Sequence, residues 1–301
     1  MITAHSRMIS NCLYYGQWIS LQKHLKQIIR LYDPEQHRWV LHQLGSDPMG
    51  NALSYASIAT WIMGYPEKAR DYCQASLELA RDLAHPMVSW FADCYATQFY
   101  IYSGDIRKAQ TCVEEALRIC DEQDLVYYRF YTIALQGWLQ VKTGDETGIT
   151  LLEQGVNQLR QTGDRLNLLL FLRLFADASL KIGLLNQGVN LIDEALDLTN
   201  ETHIIYDKPE LIRMKGEILL VKSPHESQIA EDWFVRAVQS AVQLSTKMWE
   251  LRAAVSLARL WQKQGKLEEA QRTLSEIYAW FSEGFDTPDL TEARSLLAEL
   301  S

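Results

Sequence analysis

The sequence predicts an all-α protein built as a solenoid of stacked helix pairs, and three observations lead to this fold class. Short turns that contain glycine recur along the 301 residues, with spacings of 48, 40, 40, 39 and 82 residues. Apolar residues at helical spacing flank each turn, and no alternating strand pattern or Asn-Gly hairpin separates these stretches. A period near 40 is typical of stacked supersecondary units. The turn glycines are Gly16, Gly64, Gly104, Gly144, Gly183 and Gly265.

The third unit shows the elements that we expect in each pair. The segment WFADCYATQFYIY (90–102) precedes Gly104, and DIRKAQTCVEEALRIC (105–120) follows it with one apolar face. Gly104 is predicted to end the first helix in the left-handed conformation, and Asp105 to cap the second. The double spacing of 82 residues indicates one further turn, at Lys222-Ser223-Pro224.

Small residues stand at fixed distances from the turns, where the two helices of a pair must approach closely. These are the small-residue positions of a tetratricopeptide repeat, which the chain resembles, although that repeat has a period of ~34 residues. The resemblance implies a right-handed α-solenoid with longer helices or loops than usual. The small residues are Ser57, Gly137, Ala176 and Ala258 seven residues before a turn, and Ala69, Ala109, Gly188 and Ala270 five residues after one.

We therefore predict one tetratricopeptide-like domain over 1–301, with about seven helix pairs and a C-terminal capping helix. Asp47-Pro48 is a further signal that caps and starts a helix. The predicted pairs lie at roughly 3–31, 48–83, 86–122, 126–162, 165–200, 208–244 and 248–283, and the cap at 287–300.

The C-terminal segment is rich in aromatic and turn residues, which predicts a cap for the last pair. Gly284 is expected to end the helix that contains Trp280, and Thr287 to cap the next helix with Pro288 in its first turn. The terminal unit of a solenoid exposes apolar surface unless a cap covers it. The apolar face of the predicted cap consists of Leu290, Ala293, Leu296, Leu297 and Leu300.

Nearly the whole chain resembles the C-terminal tetratricopeptide region of bacterial class III adenylate/guanylate cyclases and predicted signal-transduction ATPases. The segment WFSEGFDTPDL (280–290) is the most specific match, and 31–69 resembles the start of that region. The family's catalytic domains precede the repeats and have no counterpart here. GDETGIT (144–150) lacks the lysine of a phosphate-binding loop. The resemblance implies a regulatory role in signalling.

Composition and motifs argue against several other functions. The 29 Lys and Arg against 38 Asp and Glu give a net charge of −9, which does not favour nucleic-acid binding. No apolar run approaches the ~20 residues of a membrane span, and we expect a cytoplasmic protein. The five cysteines and seven histidines show no metal-ligand spacing, and no nucleophile motif occurs. We predict neither catalytic nor metal-binding residues and no cofactor.

Binding in a concave groove is the favoured function, since the first helix of each pair lines that groove in tetratricopeptide arrays. Candidate positions lie 13, 10, 6 and 3 residues before each turn glycine. Tyr, Trp and Arg often dominate interface energies, although Trp61 and Trp138 are also explained by packing between helices. Arg173 and Asp177 are four residues apart and could pair only with each other. The candidates are Asn51, Trp61, Gln98, Tyr131, Trp138, Arg173, Asp177, Arg252 and Arg259.

Three hypotheses for the function stay open at this point. The chain docks a protein or peptide partner, holds a small-molecule effector in the same groove, or is a separate regulatory part of a cyclase or ATPase.

The N-terminal end of the chain is apolar. The first predicted helix has no polar cap, and apolar residues come soon after its start: Leu13, Tyr14, Tyr15, Trp18 and Ile19. We expect this apolar end to pack on another chain or on the protein itself.

Overall fold

The computed structural model describes all 301 residues and contains sixteen α-helices and no strands. The first eight helices are α1 Ile2–Tyr14, α2 Trp18–Leu31, α3 Pro34–Leu44, α4 Pro48–Ile62, α5 Pro66–Leu83, α6 Pro86–Ser103, α7 Ile106–Glu122 and α8 Val126–Thr143. The second eight are α9 Gly148–Thr162, α10 Arg165–Lys181, α11 Leu185–Thr202, α12 Lys208–Lys222, α13 Ser227–Leu244, α14 Lys247–Lys263, α15 Leu267–Tyr278 and α16 Pro288–Glu299.

The predicted fold class is confirmed, because the helices form seven antiparallel pairs that stack as a tetratricopeptide-like solenoid. The first helices of the pairs are α1, α4, α6, α8, α10, α12 and α14, and each packs against the second helix that follows its turn. The extra helix α3 was not predicted, and it lies within the longer first spacing of 48 residues. Asp33 caps α3 through the backbone N–H groups of Glu35 and Gln36, which is the same signal that Asp47 and Pro48 give at α4.

The turns have the expected backbone chemistry. All six turn glycines have positive φ, from 62° at Gly16 to 104° at Gly144, a region that glycine enters without steric cost. Asp105 accepts a hydrogen bond from the N–H of Lys108 and caps α7. At the sixth turn in chain order, Ser223 and a short 3₁₀ turn over Pro224–Glu226 take the place of glycine.

Gly137 marks the closest approach of two paired helices. A Cβ atom at Gly137 would lie 2.4 Å from the backbone oxygen of Gly148, and one at Gly148 would lie 2.3 Å from the oxygen of Gly137. The two backbones of α8 and α9 are therefore in direct contact. This confirms the structural reason for a small residue seven positions before the turn.

The C-terminal segment forms the predicted cap with two corrections. Helix α15 ends at Tyr278, so Trp280 and Gly284 lie in the loop 279–287 and Gly284 does not end a helix. Thr287 occupies the N-cap position, but its hydroxyl donates to the carbonyl of Gly284 and does not accept from the helix. Pro288 starts α16 as expected, and the apolar face of α16 packs on α14 and α15.

The same loop also contacts the second pair, which the sequence did not indicate. The Glu283 carboxylate accepts hydrogen bonds from the N–H groups of Glu67 and Lys68 at the start of α5. Gly284 donates its N–H to the carboxylate of Glu67 at 3.0 Å. Trp280 packs on the turn at Gly64, where a Cβ atom would lie 2.7 Å from its ring. The loop 279–287 thus joins the last pair to the second.

The N-terminal pair packs on the same chain's C-terminal half. The indole N–H of Trp18 donates to the carbonyl of Leu244 at 2.6 Å, and the N–H of Ile205 donates to the carbonyl of Tyr14 at 2.9 Å. Trp18 and Tyr14 are buried, whereas Ile19 is 74% exposed. The expected packing of this end therefore occurs within one chain, and association of two copies through the N-terminal end stays a prediction. None of the helices combines the length and apolar character that a bilayer span requires.

Candidate ligand-binding groove

A groove lined by aromatic side chains lies on the inner face of the first five pairs; we call it the aromatic groove. It has a volume of about 370 Å³. Its helical residues come from the first helices α1, α4, α6, α8 and α10, except for Leu44 at the end of α3, and the loop after α3 completes it. The eighteen lining residues are Ser10, Asn11, Tyr14, Leu44, Gly45, Ser46, Asn51, Tyr55, Met87, Trp90, Phe91, Cys94, Tyr95, Tyr127, Tyr128, Tyr131, Leu166 and Asn167.

The aromatic rings of the groove contact one another in two groups. Tyr55, Phe91 and Tyr95 form the first group, with ring centroids 4.5 to 5.6 Å apart. Trp90 packs against Tyr128 at 4.5 Å and Tyr131 at 5.8 Å in the second. Most of these contacts are edge-to-face, the arrangement that suits the ring quadrupoles. The walls of the groove are therefore fixed by packing between neighbouring pairs.

Tyr131 supplies a polar group that the protein itself leaves unpaired. Its side chain is only 6% exposed, and its hydroxyl has no hydrogen-bond partner, in contrast to that of Tyr95, which pairs with Tyr14 at 3.3 Å. Burial, with nearby acidic groups, raises the pKa of Tyr131 well above its usual value. The phenol is thus neutral and able to donate a hydrogen bond to whatever fills the groove.

Two of the nine candidate residues from the sequence, Asn51 and Tyr131, line the aromatic groove. Three others are engaged by their own chain. Gln98 donates to the hydroxyl of Tyr102 at 3.0 Å, and Asp177 accepts from the indole of Trp138 at 2.8 Å. Contact between these residues and a ligand stays a prediction.

Arg173 pairs with Asp207 and not with Asp177, which corrects the pairing that the sequence suggested. Its Nε donates to Asp207 at 3.0 Å, and its guanidinium lies 4.9 Å from the ring centroid of Tyr102. Burial raises the pKa of Asp207, while the charge of Arg173 opposes that shift. Asp177 pairs with Lys142 instead. The reason is tertiary, because the turn before α12 brings Asp207 to the inner side of α10.

Two of the remaining candidates, Trp61 and Arg252, lie where the C-terminal half packs on the second and third pairs. Trp61 is fully buried against Trp249 at 5.0 Å. Arg252 donates to Asp289 at 2.6 Å and to the backbone carbonyl of Tyr102 at 2.7 Å. The last candidate, Arg259, is exposed and pairs with Glu292 at 2.7 Å.

Buried charges fill this part of the inner face. Burial alone would raise the pKa of Glu210, but the guanidiniums of Arg213, Arg252 and Arg173 together lower it to about 2. Glu210 accepts two hydrogen bonds of 2.8 Å from Arg213. The protein's own ion pairs therefore line the C-terminal inner face, where Arg213, Arg252 and Arg259 border a pocket of about 180 Å³. The aromatic groove, of about 370 Å³, has about twice that volume.

Sequence reasoning missed several groove residues although a positional signal was present. Tyr55 and Tyr95 both stand nine residues before their turn glycines, an offset that was not among the candidate positions. Asn51, Phe91 and Tyr131 share the offset of thirteen, which was included. The contributions of Asn11 and Leu166 have no such signal, because α1 and α10 reach the groove only through the curvature of the stack.

Comparisons with known proteins identify the fold. No family model matches the sequence, and no curated protein sequence matches it. A Rap protein in complex with Competence and Sporulation Factor superposes with a TM-score of 0.58 at 10% identity, over 99% of this chain and 97% of that one. NprR in complex with its cognate peptide NprX gives 0.56 at 12% identity, over 99% and 82%.

A third protein of similar structure is described as having a sensor made of tetratricopeptide repeats. It is a Signal Transduction ATPase with Numerous Domains, with a tetratricopeptide repeat sensor, from Pyrococcus horikoshii. The TM-score is 0.53 at 14% identity, and the match covers 98% of this chain but 49% of that protein. The chain is thus similar in fold to tetratricopeptide-type helical repeat proteins.

Proposed function

We propose that the chain is a non-catalytic binding module that holds a segment of a protein or peptide partner in the aromatic groove. The observation that carries this proposal is Tyr131, a buried residue whose hydroxyl has no partner within the protein and which lines an open groove of packed aromatic rings. Aromatic residues supply large apolar contact area at low entropic cost, and they dominate many interfaces. Two proteins of similar fold, the Rap protein and NprR, were solved with bound partners, which supports the same use of the fold here.

The regulatory part of the proposal rests on the sequence resemblance to cyclase- and ATPase-linked repeats. The similar fold of a tetratricopeptide repeat sensor within a signal-transduction ATPase supports it. In this proposal, binding in the groove changes how the module contacts a catalytic protein in the cytoplasm. The module contributes no nucleotide chemistry of its own.

A second candidate function is sensing of a small effector in the same groove. The volume of about 370 Å³ falls within the ~300–1,000 Å³ of typical small-molecule sites. An effector that suits these walls is uncharged and largely apolar, with a hydrogen-bond acceptor for Tyr131. Both candidates use the same residues, so the experiment must identify the bound species.

Asn11→Trp tests the groove directly. Asn11 is exposed on α1 at the edge of the groove, so a tryptophan there should block the groove while leaving the fold intact. Gln161→Trp, at an exposed position of the outer helix α9, is the matched control. Wild type, Asn11→Trp and Gln161→Trp are used as bait in lysate of the source cell, and retained proteins are identified by mass spectrometry.

The proposal predicts a partner that wild type and Gln161→Trp retain and Asn11→Trp loses by at least about tenfold. A cyclase or ATPase subunit in that set would support regulation in trans. Equal retention by all three baits would place the interface elsewhere on the molecule. Native mass spectrometry of the purified chain covers the second candidate, because a small molecule bound to wild type and absent from Asn11→Trp would favour effector sensing.

A further inference from the structure

The aromatic groove contains no charged residue. Its eighteen lining residues supply hydroxyl, amide, thiol and apolar groups, and neither a carboxylate nor a cationic side chain is among them. A free peptide end carries an ammonium or a carboxylate at neutral pH. Moving such a charge out of water into an uncharged site is unfavourable unless a partner charge or several hydrogen bonds compensate it.

Two carboxylates that are close in sequence to lining residues accept hydrogen bonds within the protein. Asp164, beside the groove, accepts from the hydroxyl of Tyr127 at 2.8 Å and from the amide of Asn167 at 2.7 Å. Asp47, behind Ser46, accepts from the hydroxyl of Tyr32 and the N–H of Gly50. These donors are neutral and hold each carboxylate in a fixed position. Neither is placed among the residues that line the groove.

Cationic side chains that are close in sequence to lining residues form ion pairs within the protein. Arg165, next to the lining residue Leu166, pairs with Glu201 on α11, and Arg129 pairs with Asp121 at 2.8 Å. Arg173, on the same helix as Leu166, points to Asp207. Nη2 of Arg173 has no hydrogen-bond partner, but Arg173 does not line the groove. A terminal carboxylate in the groove would therefore meet no cationic side chain among the lining residues.

The polar groups that remain free match a peptide unit. The side-chain amides of Asn11 and Asn51 make no hydrogen bond within the chain, and each offers both a donor and an acceptor, as a backbone peptide unit does. Tyr131, which also lines the groove, adds a hydroxyl donor that has no partner within the chain. Met87, Phe91 and Leu166 offer apolar contact on either side.

We infer that the aromatic groove binds an internal, uncharged segment of a partner polypeptide with apolar side chains, and not a free chain end. The inference rests on the proposed function and specifies its ligand. The backbone amides of the segment pair with Asn11, Asn51 and Tyr131, and its side chains pack on the rings. A loop or an extended stretch within a folded partner has this chemistry.

The first test compares one peptide in two forms. An array of N-acetylated, C-amidated hexapeptides rich in Leu, Phe, Val, Asn and Gln is screened with the purified chain. The strongest binder is then measured by titration calorimetry in the capped form and as the free peptide with both termini charged. We expect the capped form to bind at least about tenfold more tightly, because burying an unpaired charge costs more than the groove can offset.

Ionic strength and a hydroxyl deletion complete the test. The affinity of the capped peptide should stay constant from low to high salt, since no charge pair contributes to it. Tyr131→Phe should weaken binding of the capped peptide about fivefold, the effect of one hydrogen bond, while keeping the ring packing. Tyr65→Phe, outside the groove and partly exposed, is the control and should leave the affinity unchanged.

The outcomes separate the inference from the proposed function. Tighter binding of the free peptide, or a steep loss of affinity with salt, would overturn the inference while the groove remained a peptide site. The same affinity for wild type and Tyr131→Phe would remove the assigned role of the hydroxyl. Absence of binding by any hexapeptide in the array would overturn the proposed function together with this inference.

Discussion

At the scale of single residues, Asp93 is a clear case of a carboxyl whose pKa is raised by burial. It lies on α6 and is about nine-tenths buried. Burial, followed by the nearby Glu115, raises its pKa to about 7, although Arg118 and Arg81 oppose the shift. The folded chain therefore holds this proton more tightly than the unfolded chain, in which the pKa of an aspartate is about 3.9.

This difference predicts how stability depends on pH. Between pH ~4 and ~7 the folded state binds more protons at Asp93 than the unfolded state, so its contribution to stability falls as pH rises. Asp93→Asn removes the ionisation and should raise the free energy of unfolding at pH 8 by about 2 to 4 kcal/mol, with little change near pH 4. Urea unfolding at both pH values measures this.

An exposed carboxyl on a neighbouring helix provides the control for that measurement. Asp82→Asn changes the net charge by the same amount at the exposed end of α5. If Asp82→Asn stabilised the protein at pH 8 as much as Asp93→Asn, net charge and not burial would explain the effect. A destabilising Asp93→Asn at pH 8 would show that the Asp93 carboxylate is needed by the fold.

At the scale of elements, the turns use glycine for two different reasons. At position 144 only the backbone conformation requires glycine, because φ of Gly144 is 104° and a Cβ atom would meet nothing within 4 Å. Gly64 has a φ of 95° and also lies against Trp280, Lys247 and Phe281, where a Cβ atom would approach to 2.7 to 3.2 Å. The first requirement belongs to any helix pair, whereas the second exists only because the chain closes on itself.

Alanine at the two turns should separate these contributions. Both Gly64→Ala and Gly144→Ala carry the cost of positive φ, about 1 to 2 kcal/mol. Gly64→Ala should lose a further ~1–3 kcal/mol, because the added methyl group overpacks the contact with the loop 279–287. Denaturant unfolding of both variants measures the difference. Equal losses would mean that the loop yields without cost and that the contact contributes little to stability.

At the scale of the whole molecule, the two ends of the solenoid stabilise each other. A simple repeat array gains stability only from neighbouring units. Here Glu283 and Trp280 contact the second pair, and Trp18 contacts the carbonyl of Leu244 before α14. These contacts join units that are distant along the array, so coupling in this chain is not limited to neighbouring pairs.

Trp280→Ala should expose this coupling in hydrogen exchange. Removing the indole opens the contact with Gly64 and Tyr65, so amide protection should fall in α4 and α5 as well as in α14 and α15. Helices α8 and α9 lie between these regions in sequence and should keep their protection. Loss confined to α15 and α16 would show that the loop 279–287 caps only the last pair.

The sequence by itself determined what depends on short-range chemistry. The period near 40, the glycine turns, the cap at Asp105 and the small residue at Gly137 all follow from helix geometry and backbone sterics within one pair. The apolar face of α16 could be predicted from the sequence for the same reason. Helix α3 was missed because its main signal, Asp33-Pro34, lay outside the repeating pattern.

Only the tertiary structure decided which part of the inner face stays open. Trp61, Arg173 and Arg252 occupy the same kind of position as Asn51 and Tyr131, yet the first three are covered by Trp249, Asp207 and Asp289. The physical reason is that curvature accumulates from small rotations between successive pairs. No local pattern encodes the sum of these rotations, and that sum brings the C-terminal helices onto one half of the inner face while leaving the aromatic groove free.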